Sequence, residues 1–231
     1  MRILVAATLL AGVVMGGWAG MPSAVAAPSC AELGGVIETA QMCHVHTSTS
    51  SYTLDLRFPV DYPDQQGLTD YVVQNRDGFI TVVKTSGPRD MPYEMDATAE
   101  QQHSGRPPNN TQSVVLKIFQ DVGGPQPSTW WKAFNYDLGQ HRPITYDTLF
   151  AANSKPLEAI YPIVQRELER QTGLPGLFIS PGAGLDPSHY QNFAVTNDDL
   201  IFYFAPGELL PLSAGATSAR VPRNAIPSLV L

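Results

Sequence analysis

Alternation of apolar and polar residues predicts most of the strands of this chain. In SYTLDLRF (51–58), apolar side chains occupy every second position, which places them on one face of a strand. The same period returns in PYEMDATAEQQ (92–102). Two further strands, 112–122 and 128–137, are expected to form a hairpin. Segment 103–111 is rich in Gly, Pro and Asn, which predicts a break in the sheet.

A spacing of three to four residues between apolar positions predicts two long helices. The first spans about 65–84, and the second spans 154–173, with Ser154 as its N-cap and Gly173 as its stop. A short helical turn is expected after Pro143. Because helices and strands do not alternate regularly, the pattern favours an α+β fold, with a mixed, mainly antiparallel sheet packed against the two helices.

The stretch YQNFAVTNDDLIFYFAPGELLP (190–211) carries the most distinctive pattern. Its run LIFYFA (200–205) is apolar at every position, so both faces of this strand must be covered. A strand of this kind is expected at the centre of a sheet. Pro206 cannot donate a ladder hydrogen bond, so pairing should stop there, and the corner is a structural exit from the core. A final strand is expected near SARVP (218–222).

The first 26 residues predict a signal peptide. Arg2 precedes an uncharged apolar run, 3–20, and AVA (24–26) has the small-x-small pattern of a signal-peptidase site. Cleavage after Ala26 would leave no stable membrane span. An uncleaved anchor is the alternative, since the apolar run is nearly long enough to cross a bilayer. The residues before Cys30 do not fit a lipobox, so a lipoprotein is set aside.

Export changes the interpretation of the cysteines and of the charge. The two cysteines, Cys30 and Cys43, would enter an oxidising compartment, where we expect them to form a disulfide. Gly34 and Gly35 can turn the chain between them. The formal net charge is −7, and an acidic exported chain is a poor candidate for binding nucleic acid or anionic membranes.

Ordered sequence blocks are similar to two known families. KAFNYDLGQHRPITYDTLF (132–150) and the stretch 190–211 resemble the extracytoplasmic domain of unknown function in a lysozyme-sensing anti-sigma factor. VDYPDQQGLTDYVVQNRDGF (60–79) and MPYEMDATAEQ (91–101) resemble the mycobacterial secreted immunogenic protein family, known for its skin-test antigen.

These resemblances divide the chain after its signal peptide into two parts. Residues 27–111 would form an N-terminal α+β half, and residues 112–231 would form the C-terminal domain that is similar to the anti-sigma-factor domain. We expect the two parts to pack together as one compact unit.

The resemblance implies two classes of function. A member of this family would be secreted or held in the cell envelope and would bind a host protein or an envelope component. We expect the protein to be a monomer. One branch of the family is described as carboxylesterases, which implies hydrolysis of short-chain acyl esters as the alternative, without a cofactor. Both classes stay open at this point.

The best catalytic candidate is the segment ISPGAGLDPSHY (179–190). The chain has no G-x-S-x-G nucleophile elbow. Within ten residues, however, this segment brings together a hydroxyl, a carboxylate and an imidazole, from Ser180, Asp186 and His189. Backbone amides of its glycines would face the developing oxyanion. The alternative is that the segment is a pair of turns, with Ser180 and Asp186 as ordinary turn residues.

His44 and His46 have a spacing that suits metal binding, because both imidazoles would lie on one face of a strand. No third ligand is near them in the sequence, and two histidines alone do not make a zinc site. We therefore interpret them as an exposed pair on an edge strand and predict no metal site.

Overall fold

The computed structural model of the protein describes residues 28–231, except for Pro88 and 174–178. The predicted signal peptide lies outside the described residues. The strands, in chain order, are β1 Val36–Ile37, β2 Met42–Ser48, β3 Tyr52–Pro59, β4 Tyr93–Arg106, β5 Asn109–Asp121, β6 Ser128–Asp137, β7 Arg142–Pro143, β8 Phe193–Val195, β9 Asp199–Phe204 and β10 Thr217–Pro222. The α-helices are α1 Gln65–Ser86, α2 Tyr146–Leu149, α3 Pro156–Thr172 and α4 Pro181–Gly184.

The described strands form two sheets. The larger has seven strands in the order β1-β2-β3-β4-β5-β6-β7, and the smaller has three in the order β10-β9-β8. Neighbouring strands are antiparallel except β3 and β4, which are parallel because α1 crosses over between them. The predicted α+β class with a mixed, mainly antiparallel sheet is confirmed.

The larger sheet packs one face against α1. Asp64 is the N-cap of this helix, and its side chain accepts a hydrogen bond from the Gly67 amide. Its buried residues Leu68, Val72 and Phe79 belong to the same core as the alternating apolar residues of β3, β4 and β5. The apolar residues that recur every second position in the strands and every 3.6 positions in the helix therefore pack in one core, as the sequence predicts.

The opposite face of the larger sheet packs, at β5 and β6, against the smaller sheet. Val115 and Trp131 contribute the larger sheet's side of this core, and Ile201 and Tyr203 contribute the other side. The backbone N–H of Val195 also donates to the Ser113 hydroxyl across the interface, at 3.0 Å. The molecule is consequently layered as helix, sheet, sheet and helix, with α3 outermost on the smaller sheet.

Strand β9 lies between β8 and β10, as its pattern predicts. Leu200, Phe202 and Phe204 face the α3 core, whereas Ile201 and Tyr203 face the larger sheet. Both faces of the strand are therefore covered, which explains why the run is apolar at every position.

The predicted break at 103–111 is wrong. Strand β4 continues to Arg106 and β5 begins at Asn109, so the two strands pair almost to the tip of a hairpin. Pro107 and Pro108 form the turn between the two strands, where no ladder hydrogen bond is needed. Gly105, just before the turn, adopts a positive φ of 81°.

Two local predictions also need correction. Lys155, not Ser154, is the N-cap of α3, because the Ser154 hydroxyl donates instead to the Ala151 carbonyl at 2.7 Å. The histidine pair lies on β2, which is not an edge strand, since the two-residue strand β1 pairs with it.

The predicted disulfide is confirmed. Cys30 and Cys43 are bonded to each other, and both are buried in the core beneath α1. The bond attaches the start of the described chain to β2. Among the described helices, none is both long and apolar enough to cross a membrane.

Candidate active site

A surface cleft of about 400 Å³ lies where α3 begins. Its walls come from α2, from the first turn of α3 and from the segment that contains the predicted catalytic residues. The lining residues are Tyr146, Lys155, Pro156, Leu157, Glu158, Leu185 and Pro187. Most of this lining is apolar, with charge confined to the start of the helix.

The first turn of α3 makes one end of the cleft electropositive. No side chain caps the helix at Lys155, and Pro156 occupies its first turn. A helix of 17 residues has the partial positive charge of its macrodipole at this end. Lys155 and Glu158 carry opposite formal charges and form an ion pair of 2.9 Å, so the positive potential here comes from the macrodipole. An oxygen that carries negative charge would be stabilised here.

Tyr146 is the main polar group in the apolar part of the lining. Its hydroxyl is buried and has no hydrogen-bond partner among the described residues. Burial, together with the charge of Asp147, raises the pKa of Tyr146 to about 12. The phenol is therefore neutral near pH 7 and keeps its proton for donation. A capping box between Thr145 and Thr148 holds the short helix α2 that positions it.

His189 and Glu208 form a pair beside this segment. The Nδ1 atom of His189 lies 3.6 Å from Glu208 Oε1. The other carboxylate oxygen, Oε2, accepts the Ala205 N–H at 2.7 Å, which fixes the orientation of the acid. Gly207, with a φ of 84°, allows the chain to turn between the strand and Glu208. Both side chains are partly exposed, at 27% for His189 and 20% for Glu208.

At 3.6 Å, the contact between His189 Nδ1 and Glu208 Oε1 is an ion-pair contact and is longer than a hydrogen bond. A closer approach of the carboxylate to Nδ1 would leave Nε2 to act as a base. No hydrogen bond is formed by Nε2 of His189 with any described residue. The sequence does not predict this contact, because two strands, β8 and β9, separate His189 from Glu208 along the chain. From the sequence, the corner at Pro206 is interpreted as a structural exit from the core, and Glu208 has no predicted role.

The predicted catalytic residues Ser180 and Asp186 both cap short helical turns. The Ser180 hydroxyl accepts the Ala183 N–H at 3.2 Å, and the Asp186 carboxylate accepts the Ser188 N–H at 2.9 Å. The hydrogen bonds from Ser188, followed by the charge of His189, lower the pKa of Asp186. In the described chain, no hydrogen bond joins Ser180 to His189. The triad stays a prediction, and Glu208 is the acid for which the described residues show a contact with the His189 imidazole.

A second, more polar cavity of about 370 Å³ lies at the tip of the β4–β5 hairpin. Asp137 and Thr111 line it, and each has a buried oxygen without a partner among the described residues. Its one buried serine, Ser104, accepts a hydrogen bond from Arg223 at 2.9 Å. A guanidinium cannot take a proton from a hydroxyl, so Arg223 does not activate Ser104 as a nucleophile.

Comparison with known proteins gives matches over the whole chain. The chain is 62% identical over 231 residues to "Esterase Rv3036c" of Mycobacterium tuberculosis strain H37Rv, covering 100% of both chains. It is 46% identical over 222 residues to "Immunogenic protein MPB64" of Mycobacterium bovis and to "Immunogenic protein MPT64" of Mycobacterium tuberculosis, covering 96% of the chain and 96% of each relative.

The C-terminal part matches a domain family, and the fold matches a solved structure. Residues 147–224 match the family described as "Protein of unknown function (DUF3298)". The crystal structure of a DUF3298 family protein from Pseudomonas aeruginosa has a TM-score of 0.55 and 11% identity, covering 84% of this chain and 96% of that one. At this identity the similarity concerns the fold alone.

Proposed function

The chain belongs to the family of the mycobacterial immunogenic proteins MPB64 and MPT64, and from this membership we propose that it is an exported carboxylesterase that hydrolyses short-chain acyl esters. One observation carries the proposal. The relative named an esterase is 62% identical over the full length of both chains, more than the 46% shared with the relatives named immunogenic proteins. A difference of this size favours the activity of the more similar relative.

The cleft at α3 supports ester hydrolysis on chemical grounds. Leu157, Leu185 and Pro187 provide apolar contacts for an acyl chain. The electropositive start of α3 would stabilise the oxygen that becomes negative as the carbonyl is attacked. The segment that forms one wall of the cleft also carries His189.

In the proposed mechanism, His189 is the general base and Glu208 holds its Nδ1. The Ser180 hydroxyl uses its oxygen to accept the Ala183 amide, which leaves its O–H able to donate, and the mechanism requires this proton to reach Nε2 of His189. The serine oxygen would attack the carbonyl carbon, and the protonated imidazole would then give its proton to the departing alcohol. Water, activated by the same imidazole, would release the acid and restore the serine.

The test is the hydrolysis of p-nitrophenyl acetate and butyrate by purified protein that lacks residues 1–26. We expect turnover by the wild type and a loss of several orders of magnitude in Ser180→Ala. If Ser180→Ala keeps wild-type turnover, the nucleophile is another group. Absence of hydrolysis by folded wild-type protein, over a series of acyl lengths, would reject the esterase.

Binding to a host or envelope protein is the second candidate, and the β1 edge favours it. Val36 and Ile37, which form β1, are apolar but 63% and 52% exposed. Strand β1 lies at the end of the described sheet, where one of its edges can accept a further strand. An apolar depression of about 410 Å³, lined by Ile37, Phe58 and Val60 among others, lies beside them. An extended apolar segment could add to this edge as a further strand.

Binding of the purified protein to isolated mycobacterial envelope, and to host-cell surfaces, tests this second candidate. Val36→Thr/Ile37→Thr keeps strand propensity and removes apolar surface, so it should weaken saturable binding about tenfold or more if this edge is used. A variant that binds as tightly as the wild type would exclude β1 as the contact surface.

A further inference from the structure

A cluster of histidine and acidic side chains lies on the larger sheet, on the face opposite α1. Along β2 and β3 the buried residues face the α1 core, so the alternate residues between them face outward. Those outward positions include His44, His46 and Asp55. His46 is 56% exposed, which shows that the smaller sheet, seated on β5 and β6, does not cover this part of the face.

Strand pairing supplies the third side chain that the histidine pair lacks in the sequence. His46 of β2 is directly opposite Asp55 of β3 in the register. The Nε2 atom of His44 and the Nδ1 atom of His46 lie 3.2 and 3.1 Å from the same atom, Asp55 Oδ2. The three ligand atoms all lie within 4.8 Å of one another.

These separations suit a tetrahedral metal ion. Zinc binds imidazole nitrogen and carboxylate oxygen at about 2.0–2.2 Å, so neighbouring ligand atoms around it are roughly 3.4 Å apart. The two nitrogen–oxygen distances already come close to that value. Small rotations of the three side chains would therefore place a cation between them, without movement of the backbone.

Neighbouring groups already orient the ligands. Glu38 Oε1 lies 2.7 Å from His44 Nδ1, which directs Nε2 of that ring toward Asp55. Arg57 contacts the other oxygen of Asp55, Oδ1, and leaves Oδ2 facing the imidazoles. A carboxylate on the far nitrogen of a ligating histidine is the usual outer contact in zinc sites.

The charge around the cluster favours a cation. Asp96 of β4 is the register partner of Asp55, and Glu94 and Asp96 alternate with buried residues, so both lie on the same outward face. Near the cluster, Glu38, Asp55, Glu94 and Asp96 therefore bring four carboxylates together, and Arg57 pairs with the first two. A divalent ion would offset this excess of negative charge.

We propose that His44, His46 and Asp55 bind one zinc ion, with Glu38 as the outer contact of His44. Three protein ligands leave the fourth position of the ion to water or to a donor from another molecule. The site lies on paired strands, and the Cys30–Cys43 disulfide fixes β2 immediately before His44. The site is therefore largely formed before the ion binds, which lowers the entropic cost of binding.

Zinc titration of purified, chelator-treated protein lacking residues 1–26 tests the proposal. By calorimetry we expect one zinc per chain, with a dissociation constant in the micromolar range or tighter. His44→Ala/His46→Ala should weaken binding by about 100-fold or more, and Glu38→Gln should weaken it by about 10–100-fold. His103→Ala/His141→Ala removes two exposed histidines elsewhere and should leave the affinity unchanged.

Circular dichroism of each variant verifies that it is folded. The single change His46→Ala, at the most exposed ligand, gives a second measurement that does not disturb the core. The proposal is overturned if folded wild-type protein binds zinc more weakly than about 100 μM. Stoichiometric binding that survives in the double variant at 44 and 46 would overturn it as well, because the ion would then be held elsewhere.

Discussion

The indole Nε1 of Trp131 donates a hydrogen bond to the backbone oxygen of Phe204, 3.2 Å away and 73 residues further along the chain. This bond connects β6 of the larger sheet to the end of β9 in the smaller one. The ring of Tyr203 lies beside the indole, with 4.8 Å between ring centroids, so the same side chain supplies both a polar and an apolar contact between the sheets.

Loss of this bond should destabilise the protein more than loss of a similar bond nearer the surface. Trp131→Phe keeps an apolar ring but removes a buried donor, so we expect a cost of about 1–3 kcal/mol in the free energy of unfolding. Trp130→Phe is the matched control, since its indole donates to the half-buried Tyr71 hydroxyl at 2.9 Å and water can replace it. Urea unfolding measures both, and equal costs would contradict a special role for Trp131.

The aromatic run in β9 should carry a large part of the core energy. Phe202 is fully buried and packs edge-to-face against Tyr190, with ring centroids 5.1 Å apart. Phe202→Ala should therefore cost about 3–5 kcal/mol. Leu212→Ala, at a residue that is 56% exposed, should cost less than about 1 kcal/mol. A cost below about 1 kcal/mol at Phe202 would mean that this strand is not the core element described above.

The disulfide should contribute to stability by restricting the unfolded chain. Cys30 and Cys43 are 13 residues apart, and a loop of this size corresponds to about 3 kcal/mol in the chain-entropy account. Cys30→Ala/Cys43→Ala should lower the free energy of unfolding by about that amount. Thiol labelling of unfolded, unreduced wild type should find no free thiol, and two labelled thiols per chain would show that the bond does not form.

The ion pair between Arg89 and Asp121 should make stability depend on pH. The hydrogen bond from Arg89, followed by one from the Gly123 amide, lowers the pKa of Asp121. A carboxyl with a lowered folded-state pKa contributes stability above its unfolded value of about 3.9, and this contribution is lost as the pH falls through the folded-state pKa. Asp121→Asn should thus be less stable than wild type near pH 7, and the difference should shrink as the pH falls below about 3.9.

Thermal unfolding from pH 7 to below about pH 3.9 measures the difference in stability between wild type and Asp121→Asn at each pH. A difference that is the same at both ends of the range would assign the effect to lost hydrogen-bond geometry, rather than to the charge of Asp121.

Elements whose period is regular could be predicted from the sequence, and contacts made by strand pairing could not. The faces of β9 and the span of α1 follow from residue spacing alone. The hairpin tip at 106–109 does not follow from the sequence, because Pro and Asn normally signal loops, whereas here they fit the turn of two long paired strands.

The candidate sites also depend on contacts that the sequence pattern does not predict. Asp55 completes the histidine cluster only because β2 and β3 pair with His46 opposite Asp55, and a shift of one residue would place it on the other face. Glu208 lies against His189 only because β8 and β9 return the chain to the same end of the smaller sheet. The local segment 180–189 could be singled out by its chemistry, but an acid supplied from beyond two strands could not.

The proposed esterase mechanism can be tested by asking whether Glu208 or Asp186 stabilises the protonated His189. If Glu208 holds Nδ1, Glu208→Gln should lower kcat with little change in KM, because the acid stabilises the charged imidazole that exists only during reaction. Asp186→Asn should then have a small effect, since its carboxylate already accepts the Ser188 amide. His189→Ala should reduce kcat/KM by about 10²–10⁴-fold, as expected for loss of a general base.

His103→Ala, at an exposed histidine on β4, is the control and should leave both constants unchanged. A strong loss in Asp186→Asn with wild-type kinetics in Glu208→Gln would instead assign the role to Asp186. Wild-type kinetics in His189→Ala would remove this segment from the reaction altogether.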